Sequence, residues 1–591
     1  MTSKPATNQA GVKPAKGTWL AWFGTFLLFV CVAHGNFETT DAGFTMQAAR
    51  SLWHRGDSAL LTKAQGGDHI GEIKGAEYIR NSEKNGPRAS GLTYQDRTYV
   101  WYPIGHVFLM TPFIPLGEAV GSALPDADER LQKKVQPFMR SWVEGSPVVT
   151  QAVISMLLPS LCFATSILLL FRIARELGAA QRDAVWTAVA IALATQAFSV
   201  GREQLSDGPG LMFMLAALLP MVRLHLGTQT RHTAWWGGAM AGCAVLLRYQ
   251  TALTVAAFAV LLVLACRRRK NYRDLWLFAA GGAPLALVFL LTNYLRFGDP
   301  TVTGYPAVGD WFKANPLHGL GKILFGAGRG VMWFSPLLWL ALPCAVLRSH
   351  QVKLRWLAWV LFVTPLLLFM QVTGWQGGQA WAIRYVTPGI VALLVIVLPQ
   401  TTPWHKWPGL WRALVVAGWF VSITSVIAPV RGQLQLAHQA VTADLTRAVA
   451  EGRMTYDEAN VDPADYGGWH PHFTPLVANW LYALHSRINF FEDEHQQPRH
   501  GSKNSIVPVY GVSAVDEEAH GKVPAHWADR SGRHLWWRFW GDLYGISGWL
   551  LVLPIAALGA LLAWFGWRQL AGLSSSTPDP VAPHESATPS S

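Results

Sequence analysis

The chain has 591 residues, 51% of them hydrophobic and only 14% charged, with a net charge of +12. A soluble domain carries about 25% charged residues, so this deficit, together with repeated long apolar runs, points to a polytopic membrane protein. The positive surplus lies mostly in short loops between apolar runs, where cytoplasmic Lys and Arg collect, and so implies no nucleic-acid partner.

Residues 1–16 are polar and are expected to form a disordered cytoplasmic N-terminus. The apolar run 17–34 is read as a retained anchor, because no clear small-x-small cleavage site follows it. Further spans are predicted near 148–171, 183–200, 208–225, 234–249, 251–267, 274–295, 331–348, 354–372, 385–399, 411–428 and 546–567, twelve with the first. The stretch 107–124 is also apolar but is broken by Pro112, Pro115 and Gly117, and is predicted to lie in the membrane interface.

Charge tests this assignment. With the N-terminus inside, the cytoplasmic loops hold Arg172, Arg175 and Arg182; Arg223 and Arg231; Arg267 to Lys270 and Arg273; Arg348, Lys353 and Arg355; Lys406 and Arg412; and Arg568. Counting 107–124 as a crossing would move all of these clusters outside, against the positive-inside rule. The expected fold is therefore all-α, with about twelve transmembrane helices. A long first outer loop, 35–147, carries interfacial helices, and a second large outer loop precedes the last helix. The expected division is a membrane module at 17–428, an outer loop region at 429–545, a last helix at 546–567 and a disordered cytoplasmic tail at 568–591. The five cysteines, Cys31, Cys162, Cys243, Cys266 and Cys344, fall in or at the ends of apolar spans and imply neither disulfides nor a cysteine metal site.

Charges gather at the predicted outer ends of the spans. Glu38 and Asp41 follow the first span, and from Asp41 the apolar residues are spaced for one helical face as far as Gly56. Asp41 fits two roles, a helix cap or a general base at the mouth of the bundle. Arg202, Glu203 and Asp207 crowd one short outer turn. They form either a local ion pair or a second carboxylate that orients an acceptor or, with Asp41, holds a divalent metal. Arg248 is a lone cation in a nearly loopless outer turn, either snorkelling to headgroups or facing an anion. The turn Gly326-Ala-Gly-Arg329-Gly-Val, with Lys322 upstream, pairs close backbone approach with a forked donor, a pattern suited to phosphate. Trp375, Trp381, Arg384 and Tyr385 join aromatic surfaces, which stack on sugars or belong to the interfacial belt, to one arginine. His470 and His472 lack a third ligand nearby and read as solvated. All the other sites fall on the outer face, where nucleotide donors are absent. A lipid-linked phosphate is the natural donor there.

These segments resemble membrane glycosyltransferases of the C type (GT-C), which use polyprenyl-phosphate sugars and include protein O-mannosyltransferases and the aminoarabinose transferase of lipid A. The resemblance covers roughly 17–400. It rests on Asp41 with Ala48-Ala-Arg-Ser-Leu52 and Gly56; on Tyr102-Pro-Ile-Gly-His106 with Pro112 and Gly117; on Arg202 with Asp207; on Gly328-Arg-Gly330 with Ser335-Pro336; and on Gly377-Gly378 with Arg384-Tyr385. The sequence departs from some members in reading Asp-Ala at the first carboxylate, with Glu38 upstream, so either Asp41 or Glu38 is the base.

The resemblance implies an inverting transfer to an acceptor hydroxyl on the extracytoplasmic side of the inner membrane. Asp41, Glu38 and Asp207 would be catalytic, and Arg329, Arg384, Lys322 and Arg248 would bind the donor phosphate. Tyr102, His106, Glu203, Trp375, Trp381 and Tyr385 would line the substrates. The partners implied are a polyprenyl-phosphate sugar, the bilayer and a glycan, lipid or protein acceptor; no cofactor is specified. Two alternatives are a ligase- or polymerase-like transferase with a lipid diphosphate donor, acting through its late loop, and a transporter or flippase. The last would want charges at mid-membrane depth.

Overall fold

The computed structural model describes residues 16–35, 37, 39–68, 70–85, 91–124, 126–127, 147–305, 312–348, 350–372, 380–427, 448–453, 476 and 535–572. Glu38, Trp375, Gly377, Gly378, His470 and His472 lie outside the described residues, as does nearly all of the predicted 429–545 region.

The described residues are mostly helical. The first helix, α1 (Lys16–Cys31), is followed by α2 (Thr40–Arg55) and α3 (Ile70–Asn85). A hairpin of β1 (Gly91–Tyr94) and β2 (Arg97–Val100) pairs Gly91 with Val100 and Tyr94 with Arg97 in antiparallel register. Then come α4 (Ile104–Met110) and α5 (Phe113–Ala123). The main bundle contains α6 (Val148–Glu176), α7 (Gln181–Leu193), α8 (Ala197–Arg202), α9 (Asp207–Leu226), α10 (Thr233–Leu247), α11 (Ala252–Arg269) and α12 (Arg273–Phe297). It continues with α13 (Pro316–Phe325), α14 (Val331–Phe334), α15 (Leu338–Leu347), α16 (Arg355–Phe369), α17 (Thr387–Thr401), α18 (Pro403–Lys406) and α19 (Pro408–Ile427). After residue 476 come α20 (Trp536–Tyr544) and α21 (Gly548–Gly572).

Among the described residues, eight helical stretches are long and apolar enough to cross a membrane, and four more apolar helices are shorter. A helix lies at each of the twelve predicted spans, but two spans are interrupted. The predicted 183–200 breaks between α7 and α8, where Thr195 turns its hydroxyl back to the Ile191 carbonyl. Gln196 donates its side-chain amide to Thr387 Oγ1 at 2.6 Å and to the Ile383 carbonyl at 3.1 Å, and its backbone N–H to Ser335 Oγ at 3.2 Å. The predicted 331–348 breaks at Ser335-Pro336, where proline cannot donate to the helical ladder. The Ser335 bond joins the two breaks and the Gln196 amide ties them to the start of α17, so polar groups that periodicity alone treats as span interior meet in one buried knot. The last helix continues to Gly572, so residues 568–572, predicted as tail, are helical.

The bundle has two chemically different ends. At one, Glu176 accepts from Arg223 at 2.7 Å, Asp183 accepts from Trp404 Nε1 at 3.0 Å, and Arg348 donates to the Thr401 carbonyl at 3.2 Å. This end gathers the basic clusters. At the other, Arg202 donates to the Val32 carbonyl at 2.8 Å and the Ser425 carbonyl at 2.5 Å, fastening the ends of α1 and α19 to α8. The helices α1 and α21 pack closely through small residues: a Cβ on Gly24 would stand 2.1 Å from the Ala563 nitrogen, and one on Gly566 would stand 2.0 Å from the Ala21 nitrogen. Trp536 and Trp537 cap this pair by donating to the carbonyls of Val30 and Cys31 at 2.6 and 2.9 Å.

Candidate active site

The site is built at the end of the bundle opposite the basic clusters. On α2, Thr39 is the N-cap: its side chain accepts from the Ala42 N–H at 3.3 Å. Gly56 closes the helix with φ of 71°, a left-handed conformation suited to glycine. Thr39 therefore takes the capping role that the sequence left open for Asp41, and the Asp41 carboxylate is used elsewhere. Its Oδ1 accepts the Tyr102 phenol at 2.6 Å, and its Oδ2 lies 4.0 Å from Arg384 Nη2. Asp41 keeps about a third of its side chain exposed, whereas Asp207 keeps 2%.

Asp207 opens α9 and is buried between two guanidinium groups. Arg248 Nη1 pairs with its Oδ1, and Arg384 Nη1 donates to its Oδ2 at 3.3 Å. The local Arg202–Asp207 pair considered from sequence is not formed, because Arg202 is turned to the carbonyls of Val32 and Ser425. Arg248 is buried rather than snorkelling and stands 5.4 Å from the centre of the Tyr385 ring; Arg384 stands 5.2 Å from the same ring. Tyr385 stacks in turn on Phe369 at 4.5 Å. The two arginines thus share one aromatic floor and one carboxylate. Arg384 Nε has no hydrogen-bond partner, so one edge of its fork is open.

Glu203 accepts the Trp381 backbone N–H at 3.1 Å, and its charge acts on Arg329. Burial pushes the Arg329 guanidinium down to about 10, against the pull of Glu203, so it stays cationic at neutral pH. His106 is buried beside Asp207 and Arg248, and its Nε2 has no partner. Trp381 is buried against Phe334, ring centres 4.6 Å apart, and so offers neither a sugar platform nor an interfacial anchor. Lys322 is buried on α13, ahead of the Arg329 turn.

Asp41, Tyr102, Arg384, Asp207, Arg248, Tyr385 and His106 thus come together, with Glu203 and Arg329 adjoining. Among the described residues no group of three or more His, Cys, Asp or Glu is placed to hold a metal. Arg384 stands between the two carboxylates and supplies positive charge where the sequence suggested a cation.

The sequence did not reveal a crevice between α11 and α16 that ends on this cluster. It is lined by Thr251, Thr254, Leu361, Thr364, Pro365 and Leu368, with Arg248 and Tyr385 at its head. Only the apolar character of the flanking helices was legible, because their mutual spacing is a tertiary property.

Residues 148–294 match the model of the dolichyl-phosphate-mannose-protein mannosyltransferase family. The matched segment contains Glu203, Asp207 and Arg248, while Asp41, Arg329 and Arg384 lie outside it. None of the curated protein sequences compared with the chain matches it. Among solved structures, the chain is similar to ArnT from Cupriavidus metallidurans bound to undecaprenyl phosphate, at 13% identity over 92% of this chain and 76% of that one, with a TM-score of 0.42. It is likewise similar to the apo state of ArnT from the same organism, at 13% identity over 94% and 75%, with a TM-score of 0.41. The family match bears out the resemblance to GT-C enzymes and the reading of the chain as a glycosyltransferase.

Proposed function

We propose that this protein transfers a sugar from a polyprenyl-phosphate donor to an acceptor hydroxyl, in one inverting step, on the extracytoplasmic side of the membrane. The observation that carries the reading is Arg384 held between Asp207 and Asp41, which sets a phosphate receptor directly beside a partly exposed carboxylate. The acceptor oxygen attacks the anomeric carbon as its proton passes to Asp41, and the bond from that carbon to the phosphate oxygen breaks. The polyprenyl phosphate leaves with its charge met by Arg384, Arg248 and Arg329. Its chain lies in the crevice between α11 and α16, where threonines and aliphatic side chains line the way to Arg248. Tyr102 and Tyr385 line the reacting groups, and Glu203 orients the Arg329 side.

The sidedness rests on parity. Gly105 packs on Leu246 at the end of α10, and Gly117 packs on Thr150 at the start of α6. The start of α4 and the middle of α5 thus both meet helix ends that parity puts on the site's side. This supports an interfacial position, twelve crossings and both termini in the cytoplasm, although the stretch is long enough to span. The charges sit at helix ends rather than at mid-depth, which favours an enzyme over a transporter. We place the protein in the cell inner membrane.

The test is the release of polyprenyl phosphate from a labelled polyprenyl-phosphate sugar by purified protein in nanodiscs. Asp41→Asn, folded as judged by thermal melting, is expected to lose at least about 100-fold in rate, the scale of general-base catalysis. Full activity in that variant, with loss in Glu38→Gln, moves the base to Glu38. Full activity in both overturns the mechanism.

A further inference from the structure

Arg296, at the site end of α12, is 3% exposed. Its Nη2 donates to the carbonyls of Val100 and Tyr102, the latter at 3.2 Å. Its Nε and Nη1 are buried and make no well-formed hydrogen bond, and no carboxylate among the described residues pairs with it. Two carbonyl dipoles do not neutralise a buried guanidinium, and an uncompensated buried charge is strongly destabilising. A fork with two unused donors is suited to an oxyanion.

The surroundings are those of a polar hollow. The buried Tyr249 hydroxyl lies beside the guanidinium, within reach of a strained hydrogen bond to it, and has no other partner. One turn back on α12, Asn293 is fully buried, with its Oδ1 unpartnered. An aromatic wall runs from here to the catalytic cluster: Trp101 stacks on Tyr305 at 5.3 Å, and Tyr305 meets Tyr249 edge-on at 6.0 Å. Tyr305 also stands in the electrostatic field of Asp41, Tyr385 and Arg248.

We propose that Arg296, with the Tyr249 hydroxyl, forms an oxyanion subsite that takes a carboxylate or phosphate group carried by the acceptor. The proposal rests on the transferase reading for the identity of the ligand as acceptor. The donor phosphate already has Arg384, Arg248 and Arg329, whereas Arg296 grips the backbone of Tyr102, whose phenol bonds the proposed base. A negative group held there would bring a neighbouring hydroxyl up to Asp41.

The experiment uses the full chain in nanodiscs saturated with undecaprenyl phosphate, so that the donor phosphate site is filled. Thermal stability is followed while inorganic phosphate or acetate replaces chloride at constant ionic strength; the two anions separate the phosphate and carboxylate sources. The wild type is expected to show saturable stabilisation by one of them. Arg296→Gln is expected to weaken the apparent affinity at least tenfold, and Arg296→Lys, which keeps the charge without the fork, to weaken it as well. If Arg296→Gln fails to fold, Tyr249→Phe, which removes one hydroxyl, is expected to weaken the response several-fold.

No saturable response in the wild type, or wild-type responses in Arg296→Lys and Tyr249→Phe, overturns the subsite. A response that depends on Arg296 in a protein that releases no polyprenyl phosphate keeps the subsite and overturns the transferase reading instead.

Discussion

Tyr102 donates its phenol proton to Oδ1 of Asp41 at 2.6 Å, which leaves Oδ2 as the oxygen turned toward Arg384. The bond joins the segment between β2 and α4 to the first turn of α2, and so ties the orientation of the carboxylate to a part of the chain sixty-one residues away.

Removing that hydroxyl frees Asp41 to rotate and to pair more closely with Arg384. A hydrogen bond to a charged group contributes about 1.5–3 kcal/mol. Tyr102→Phe is therefore expected to lower kcat by roughly 10- to 100-fold with a smaller change in the donor KM, measured by steady-state release of polyprenyl phosphate. An unchanged kcat would show that Tyr102 does not orient the base.

Capping and base chemistry separate by mutation. Thr39→Ala removes the N-cap oxygen and is expected to lower stability by about 1 kcal/mol while leaving most of the turnover. Asp41→Asn should do the reverse, abolishing turnover without the loss of a cap. Thermal melting and activity on the same two preparations decide this. A larger stability loss in Asp41→Asn than in Thr39→Ala would return the capping role to Asp41.

The Arg384–Asp207 pair is buried, and breaking such a pair from one side leaves an uncompensated charge. Arg384→Gln is expected to cost about 3 kcal/mol in stability, softened by Arg248, which still holds Asp207. The double variant Arg384→Gln with Asp207→Asn should cost less than the sum of the singles by about 1 kcal/mol or more. Strict additivity in thermal or denaturant melts would mean that the pair carries no coupling.

Filling the crevice tests its occupant. Thr364 lies on its wall, and Thr364→Trp places an indole in the path. The expected result is a donor KM at least about tenfold higher, or roughly 1.4 kcal/mol, for a long-chain polyprenyl donor, with little change for a short-chain analogue. An equal effect on both chain lengths would place the lipid elsewhere.

Much of this site was legible because charge beside hydrocarbon is costly and therefore conspicuous. Asp41, Asp207, Arg248 and Arg384 stood out in that way, and the parity of the basic loops placed them on one face before any contact was known. Arg296 escaped notice because an arginine closing a long apolar run reads as a snorkelling residue; only its burial and its unused nitrogens distinguish it. Gln196 escaped because a single amide within an apolar run leaves hydropathy almost unchanged, yet it is the joint that links two interrupted helices to each other and to α17. Trp381 misled in the other direction, since its place in an aromatic cluster suggested a surface that packing has in fact consumed.

The anchoring of Asp207 by both Arg248 and Arg384 has a consequence for the order in which the protein becomes whole. During synthesis Asp41, Asp207 and Arg248 emerge long before residue 384, so the early bundle holds two carboxylates against one of those guanidinium groups. The deficit is met only when the segment before α17 arrives and Arg384 docks between them. The same late stretch brings Ser425, through which Arg202 fastens α19 to α1. A chain arrested before these residues would carry nearly every helix of the first half and still lack a balanced site.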